Sequence, residues 1–226
     1  MKLVSVAIDG PVGAGKSTIA RTAASRLGFI YCDTGALYRA VGLYCLRNGT
    51  DMSDGGAIAS RLPEIKVEIR LVDGVQRVFL NEEDVSEEIR LPEVSMAASA
   101  VSAVPEVRAA LLDLQRSVAE KNNVIMDGRD IGTVVLPNAD VKIFLTAKPE
   151  IRAKRRFDEL RAKGVEVVFE DVLEDLQKRD YNDSHRAAAP LKQADDAVLA
   201  DTSELDFEQS VELVCNIIQS KSTHKA

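Results

Sequence analysis

The sequence predicts an α/β fold organised around a parallel sheet, and three observations carry that prediction. Short, β-branched apolar runs alternate with segments whose apolar residues recur every three to four positions. A glycine-rich loop separates the first of these runs from the first helical pattern. The one stretch of strict apolar/polar alternation lies in the middle of the chain, where it reads as an antiparallel insertion.

Leu3 to Ile8 forms the first strand, and Ile19, Ala20, Ala23, Ala24 and Leu27 mark the helix after the loop. Gly28 stops that helix, because glycine accepts the left-handed backbone a helix end needs, and Phe29 to Cys32 starts a second strand. A helix from about Ala36 to Arg47 ends at Asn48-Gly49. Ile65 to Val72 and Val75 to Leu80 alternate around Asp73-Gly74, a two-residue hairpin signal. Pro92 opens a helix carrying Val94, Ala97, Ala98 and Val101, and Pro105 opens another carrying Val107, Ala110, Leu111, Leu114 and Val118.

Val124 to Met126 and Val141 to Thr146 read as buried parallel strands. Pro149 begins a charged helix that runs through Lys163 to Gly164, and Val172, Leu173 and Leu176 mark the next. Ala197 to Ala200 supplies a fifth strand. In the last helix Asp206 and Gln209 stand at capping-box spacing, and Phe207, Val211, Val214 and Ile218 form its expected buried stripe. The polar tail from Ser220 to Ala226 carries no motif.

At 226 residues the chain fits one principal domain with an inserted subdomain. No apolar run reaches the length of a membrane span, and Met1 to Ile8 meets Asp9 and a glycine loop where a secretory signal would continue. A cytoplasmic location follows as the expectation. Cys32, Cys45 and Cys215 form no CxxC pair, so reduced thiols are expected rather than a disulfide framework or zinc site. A formal net charge of -7 argues against a nucleic-acid polymer as partner but leaves room for a local basic cluster around a small phosphate ligand.

Gly10-Pro-Val-Gly-Ala-Gly-Lys-Ser17 satisfies GxxxxGK[ST] between a strand and a helix, the context that makes the motif specific. Its glycines allow consecutive backbone N–H groups to face one oxyanion, and the helix adds its positive dipole end. Gly10, Pro11, Val12, Gly13, Ala14, Gly15, Lys16, Ser17 and Thr18 are therefore the expected ATP-binding residues. Lys16 is suited to the β- and γ-phosphates, and the Ser17 hydroxyl to Mg²⁺. The motif alone serves kinases and switches alike. No NKxD-like guanine-reading segment is present.

Four further segments accompany the loop: Asp33-Thr-Gly-Ala-Leu-Tyr-Arg39, Asp127-Gly-Arg-Asp-Ile-Gly-Thr133, Arg152-Ala-Lys-Arg-Arg156 and Arg179-Asp-Tyr-Asn-Asp-Ser-His-Arg186. With them the chain resembles the bacterial cytidylate kinase family over nearly its whole length. That resemblance implies a five-stranded parallel core with helices on both faces. It also implies an antiparallel monophosphate-binding subdomain at about 35–100 and a short lid at about 153–167. The reaction implied is transfer of the ATP γ-phosphoryl group to CMP and dCMP, by a monomer acting on small nucleotides.

By position in the resemblance, Thr34, Arg39 and Arg129 receive the acceptor phosphate, with threonine standing where serine is expected. Arg155 and Arg156 are implied lid residues that close over the transferring group. Arg179, Asp183 and Arg186 are implied contacts to the acceptor's sugar and phosphate, and Ser99, Arg108 and Asp130 to its cytosine. Lys16, Arg129, Arg155, Arg156 and Arg179 form the implied catalytic set. The chemistry agrees with the residue types: a carboxylate accepts from the cytosine amino group, guanidinium forks grip phosphate, and no strong base is required.

Plainer readings stand beside these. The Arg152 to Arg156 run also fits a solvated helix face, Asp33 a helix cap, Ser99 a small packing residue, and Asp127 either a strand-end structural role or a Mg²⁺-water ligand. A uridylate or shikimate kinase and a nucleotide-dependent switch are the rival functions. His185 and His224 have no partner arrangement visible in sequence.

Overall fold

A computed structural model describes residues 3–72, 75–162 and 164–222. Five strands, β1 (Ser5–Asp9), β2 (Ile30–Asp33), β6 (Val124–Gly128), β7 (Val141–Thr146) and β8 (Val198–Asp201), form one sheet in the order β2-β6-β1-β7-β8. Every pairing is parallel, with Ile8 beside Asp127 and Ile143. Because strand side chains alternate faces, β1 divides its residues between two cores. Val6 and Ile8 pack with Ile19, Ala20 and Ala23 of α1 (Lys16–Leu27) and with Val211, Val214 and Ile218 of α8 (Phe207–Ser222). Ala7 packs on the other side with Cys32, Met126, Ile131 and Val135, against Leu112 and Val118 of α5 (Pro105–Lys121).

Both predicted capping devices are present. Gly28 takes φ 67°, and the Phe29 N–H donates to the Ala24 carbonyl at 2.8 Å to close α1. Asp206 and Gln209 exchange reciprocal bonds of 3.0 and 2.8 Å at the start of α8. One expectation is corrected there: Phe207 is 45% exposed, and Cys215 joins Val211, Val214 and Ile218 on the buried face. Phe207 is the first residue of α8, and its helical phase does not bury it.

The insertion holds a second sheet, β3 (Val67–Val72), β4 (Val75–Leu80) and β5 (Glu83–Asp84), antiparallel in the order β3-β4-β5. Val72 faces Val75 across the expected hairpin, whose Asp73-Gly74 turn lies outside the described residues. The short β5 and the six-residue α3 (Gly55–Ser60) were not anticipated, since neither has a periodic apolar pattern. Val78, Leu80 and Val85 pack on Ala36, Ala40 and Leu43 of α2 (Gly35–Arg47) and on Val94 of α4 (Pro92–Ser102). A side-chain amide ties the insertion to the core beside Ile69, which packs on the Ala7, Cys32 and Met126 cluster. Gln76 accepts from the Asp33 N–H at 2.7 Å and donates to the Asp33 carbonyl at 3.2 Å.

Candidate active site

The phosphate loop leaves the C-terminal end of β1, where parallel-sheet ligands bind. Gly10 has φ 151°, and a Cβ there would stand 1.9 Å from the Leu145 carbonyl oxygen, so only glycine allows this approach to β7. Gly15 precedes α1 with φ 83° and provides no side-chain cap, which leaves the first-turn N–H groups of α1 available to an anion.

The loop is held from outside by residues of α6 (Pro149–Ala162) and α7 (Phe169–His185). Buried Arg152 donates to the Val12 carbonyl at 2.8 Å, to Asp180 at 2.6 Å and to the Ala147 carbonyl at 2.8 Å. Asp180 in turn accepts from the Val12 N–H at 3.2 Å. Arg155 donates to the Thr202 carbonyl at 2.7 Å and its hydroxyl at 3.1 Å, with a longer bond to the Ala14 carbonyl.

Lys16 is buried and folds back to donate to the Pro11 carbonyl at 2.7 Å. Burial, and then the nearby positive charge of Arg129, push its pKa down to about 7. Arg179 is lowered by burial and then by the same Arg129, with Arg156 adding to the effect. The cations at the mouth of the loop therefore repel one another. An arriving phosphate would relieve that repulsion.

Ser17 donates to Asp127 at 2.9 Å, and the Tyr31 hydroxyl donates to the other oxygen of the same carboxylate at 2.8 Å. Burial raises the pKa of Asp127, and neighbouring Asp33 adds to the rise. A hydroxyl and a carboxylate side by side at the loop's end are hard oxygen donors that suit Mg²⁺, which takes few protein ligands and keeps water and phosphate oxygens. Among the described residues no cluster of three or more His, Cys, Asp or Glu forms a dedicated metal cage.

On the acceptor side, Asp33 accepts from the Ala36 N–H at 3.1 Å and pairs with Arg39 at 2.6 Å, so it caps α2 and also orients Arg39. Arg39 Nε is buried without a partner. Thr34 is buried and donates to the Asp127 carbonyl at 2.8 Å. Arg129 donates to Asp183 at 2.8 Å and to the Gly128 carbonyl at 3.2 Å. Asp130 lies between two guanidinium groups, paired with Arg108 and, at 3.3 Å, with Arg186. Burial raises its pKa, opposed by Arg108, Arg186 and Arg129.

Ser102 joins this group, its hydroxyl accepting from Arg186 at 3.4 Å and donating to the Ser99 carbonyl at 2.9 Å. Arg108 also lies 5.5 Å over the ring of Tyr38. The two halves thus share one charge network running from Lys16 through Arg129 to Asp183 and Asp130 and on to Arg108 and Arg186.

Most residues singled out from sequence converge here, and two are placed differently from the rest. Arg155 is anchored to the loop after β8, and Arg156 pairs with Glu159 at 2.8 Å on the partly exposed face of α6. Sequence reading missed Asp9, Arg152, Asp180, Ser102 and Tyr31 as site residues. Arg152 and Asp180 lay inside segments already conspicuous for charge, and their excess of polar residues on helices that must pack is the signal that points to them.

A family profile described as Cytidylate kinase matches residues 6–220. A cytidylate kinase of Caldicellulosiruptor bescii is 52% identical over 217 residues, covering 96% of this chain and 96% of that protein. One from Caldanaerobacter subterraneus is 52% identical over 221 residues, covering 97% and 96%. One from Carboxydothermus hydrogenoformans is 50% identical over 217 residues, covering 96% and 98%. Among solved structures, an uncharacterized protein from Eubacterium ventriosum superposes with a TM-score of 0.55 at 12% identity, covering 96% of this chain and 99% of that one, a likeness of fold alone. A profile match across nearly all of the chain and relatives above 50% identity lead to one conclusion: the chain belongs to the cytidylate kinase family.

Proposed function

We infer that this protein transfers the γ-phosphoryl group of ATP to CMP, giving CDP and ADP. The observation that carries the reading is the gathering of buried Lys16, the Arg129–Asp183 pair and the Arg108–Asp130–Arg186 group around the end of the phosphate loop. Such a row of cations holds two polyanions end to end, which is the main catalytic problem when the nucleophile is already a phosphate oxygen.

In this reading the loop N–H groups and Lys16 bind the ATP β- and γ-phosphates. Arg39 and Arg129 take the phosphate of CMP, with Thr34 lining its site. A CMP phosphate oxygen attacks the γ-phosphorus, the bond from that phosphorus to the β-phosphate oxygen breaks, and ADP leaves with the electron pair. Arg179 stabilises the charge spread over the transferring oxygens. Ser17 and Asp127 would hold Mg²⁺, which would supply neutralisation of charge on the donor phosphates.

Ser99, Arg108 and Asp130 read the base, Asp130 accepting from the cytosine amino group and Arg108 donating to a ring acceptor. Asp183 and Arg186 hold the ribose and phosphate. The acceptor subdomain, about 35–100, and a lid of about 153–167 close over the site and exclude water, Arg155 and Arg156 exchanging their bonds to Thr202 and Glu159 for the transferring group. A cytoplasmic monomer acting on free nucleotides, apart from membranes and nucleic-acid polymers, is the setting this reading expects.

A coupled assay with ATP and Mg²⁺ against CMP, dCMP, UMP and shikimate tests it. Rapid ADP release is expected with CMP and dCMP only. Acceptor-independent hydrolysis, or preference for UMP or shikimate, would overturn the reading.

A further inference from the structure

Asp9, the last residue of β1, has no part in the phosphate loop's own motif, yet it is buried at the centre of the site. Its two carboxylate oxygens each accept one backbone N–H, from Ile131 and from Gly132, both at 2.7 Å. Those N–H groups immediately follow Asp130, whose backbone has φ −145° and ψ 26°, outside the regular helical and strand regions. Behind them the chain makes a short π-turn, Ile131–Val135, in which the Val134 and Val135 N–H groups return to the Asp130 carbonyl at 2.9 and 3.2 Å. Asp9 therefore closes the open end of that turn from a neighbouring strand, as a capping residue would from within the helix.

The neighbourhood is tight. A Cβ on Gly132 would stand 3.1 Å from Lys142 Cδ and 3.3 Å from the Asp9 oxygen. Shifting the turn by a few tenths of an ångström would move Asp130 relative to Arg108 and Arg186, which grip its carboxylate from either side. One residue on from Asp9, Gly10 is fixed by its close approach to Leu145. Asp9 thus has a rigid base and two short bonds to the segment it holds.

We propose that Asp9 is a positioning residue for base discrimination: through the Ile131 and Gly132 N–H groups it fixes where Asp130 presents its carboxylate to the acceptor. The proposal deepens the reading of Asp130 as the group that distinguishes CMP from UMP. It assigns that selectivity to two residues 121 positions apart, only one of which touches substrate.

The test is a double-mutant cycle on Asp9→Asn, Asp130→Ala and the combination, reading kcat/KM for CMP and UMP, KM for ATP, and folding by circular dichroism. Asparagine turns one of the two acceptor oxygens into a donor facing an N–H, so Asp9→Asn is expected to lower the CMP/UMP ratio about tenfold while KM for ATP changes less than about threefold. Adding Asp9→Asn to Asp130→Ala is expected to lower the ratio no further, because the carboxylate being positioned is already gone. Equal losses for both acceptors, or additive losses in the combination, would overturn the proposal. An Asp130→Ala variant with an unchanged ratio would instead defeat the underlying reading of Asp130, a result distinguishable from the first. Should Asp9→Asn fail to fold, Gly132→Ala disturbs the same clamp from the opposite side and carries the same expectations.

Discussion

The donor and acceptor halves of the site are built on different principles. Around the phosphate loop, charged side chains hold backbone: Arg152, Asp180 and Arg155 bind loop carbonyls and an N–H, and the anion is left to backbone donors and Lys16. On the acceptor side the charged side chains are paired with one another, Arg108 and Arg186 with Asp130, Arg129 with Asp183, and Arg39 with Asp33. The first arrangement is ready for its ligand. The second must exchange internal ion pairs for substrate contacts, so its affinity is a difference between two similar terms and its selectivity can be high without tight binding.

Substitutions on the two sides should therefore fail in different ways. Arg152→Ala removes a buried cation and leaves Asp180 and the Val12 carbonyl short of partners, so a loss of about 3 kcal/mol in stability is expected. For a chain of this length that corresponds to a fall of about 6–12 °C in Tm by differential scanning fluorimetry. An unchanged Tm would show that the loop keeps its shape without the tether.

Lys16→Ala is expected to lower kcat about 100-fold, equivalent to about 2.7 kcal/mol of transition-state stabilisation, with the fold retained. Steady-state kinetics at saturating ATP and CMP measure it, and near-normal turnover would remove Lys16 from the mechanism. Asp130→Ala should act on preference rather than rate, reducing discrimination against UMP by about 2 kcal/mol. Equal relative kcat/KM for the two acceptors in wild type and variant would contradict the contrast between the halves.

The smallest effect is a proton. Burial and Arg129 hold Lys16 near 7, so in the free protein at pH 8 the amine is mostly neutral. Bound phosphate favours the charged form and raises that pKa, so ATP binding takes up a proton, approaching one at pH 8 and fewer at pH 6. Calorimetric enthalpies compared across buffers of different ionisation heat report the uptake. Its absence would mean that Lys16 is already charged in the free site.

What the sequence made legible was local. Gly28, the Asp206/Gln209 box and the strand-loop-helix around Lys16 each rest on neighbours a few residues apart, where spacing carries the physics. Arg152 on Val12 and Asp9 on Gly132 join residues more than 120 positions apart, and no periodicity encodes which carbonyl or N–H a buried charge will find. The family resemblance assigned Arg108 and Asp130 to the cytosine and Arg186 to the sugar and phosphate, but it did not reveal that Asp130 pairs with both guanidinium groups. Phe207 shows the opposite failure, an apolar residue in helical phase at a helix end that stays 45% exposed.

The Gln76 amide also bears on how the molecule keeps to itself. β2 is the outermost strand of the five-stranded sheet, and an outermost strand offers unpaired peptide groups to any passing extended chain. Gln76, on β4, satisfies both peptide groups of Asp33 with one side chain, so at that residue the outermost strand offers no free pairing groups. A contact between the inserted sheet and the core thereby also covers one end of an edge strand, at the residue that leads into the acceptor site.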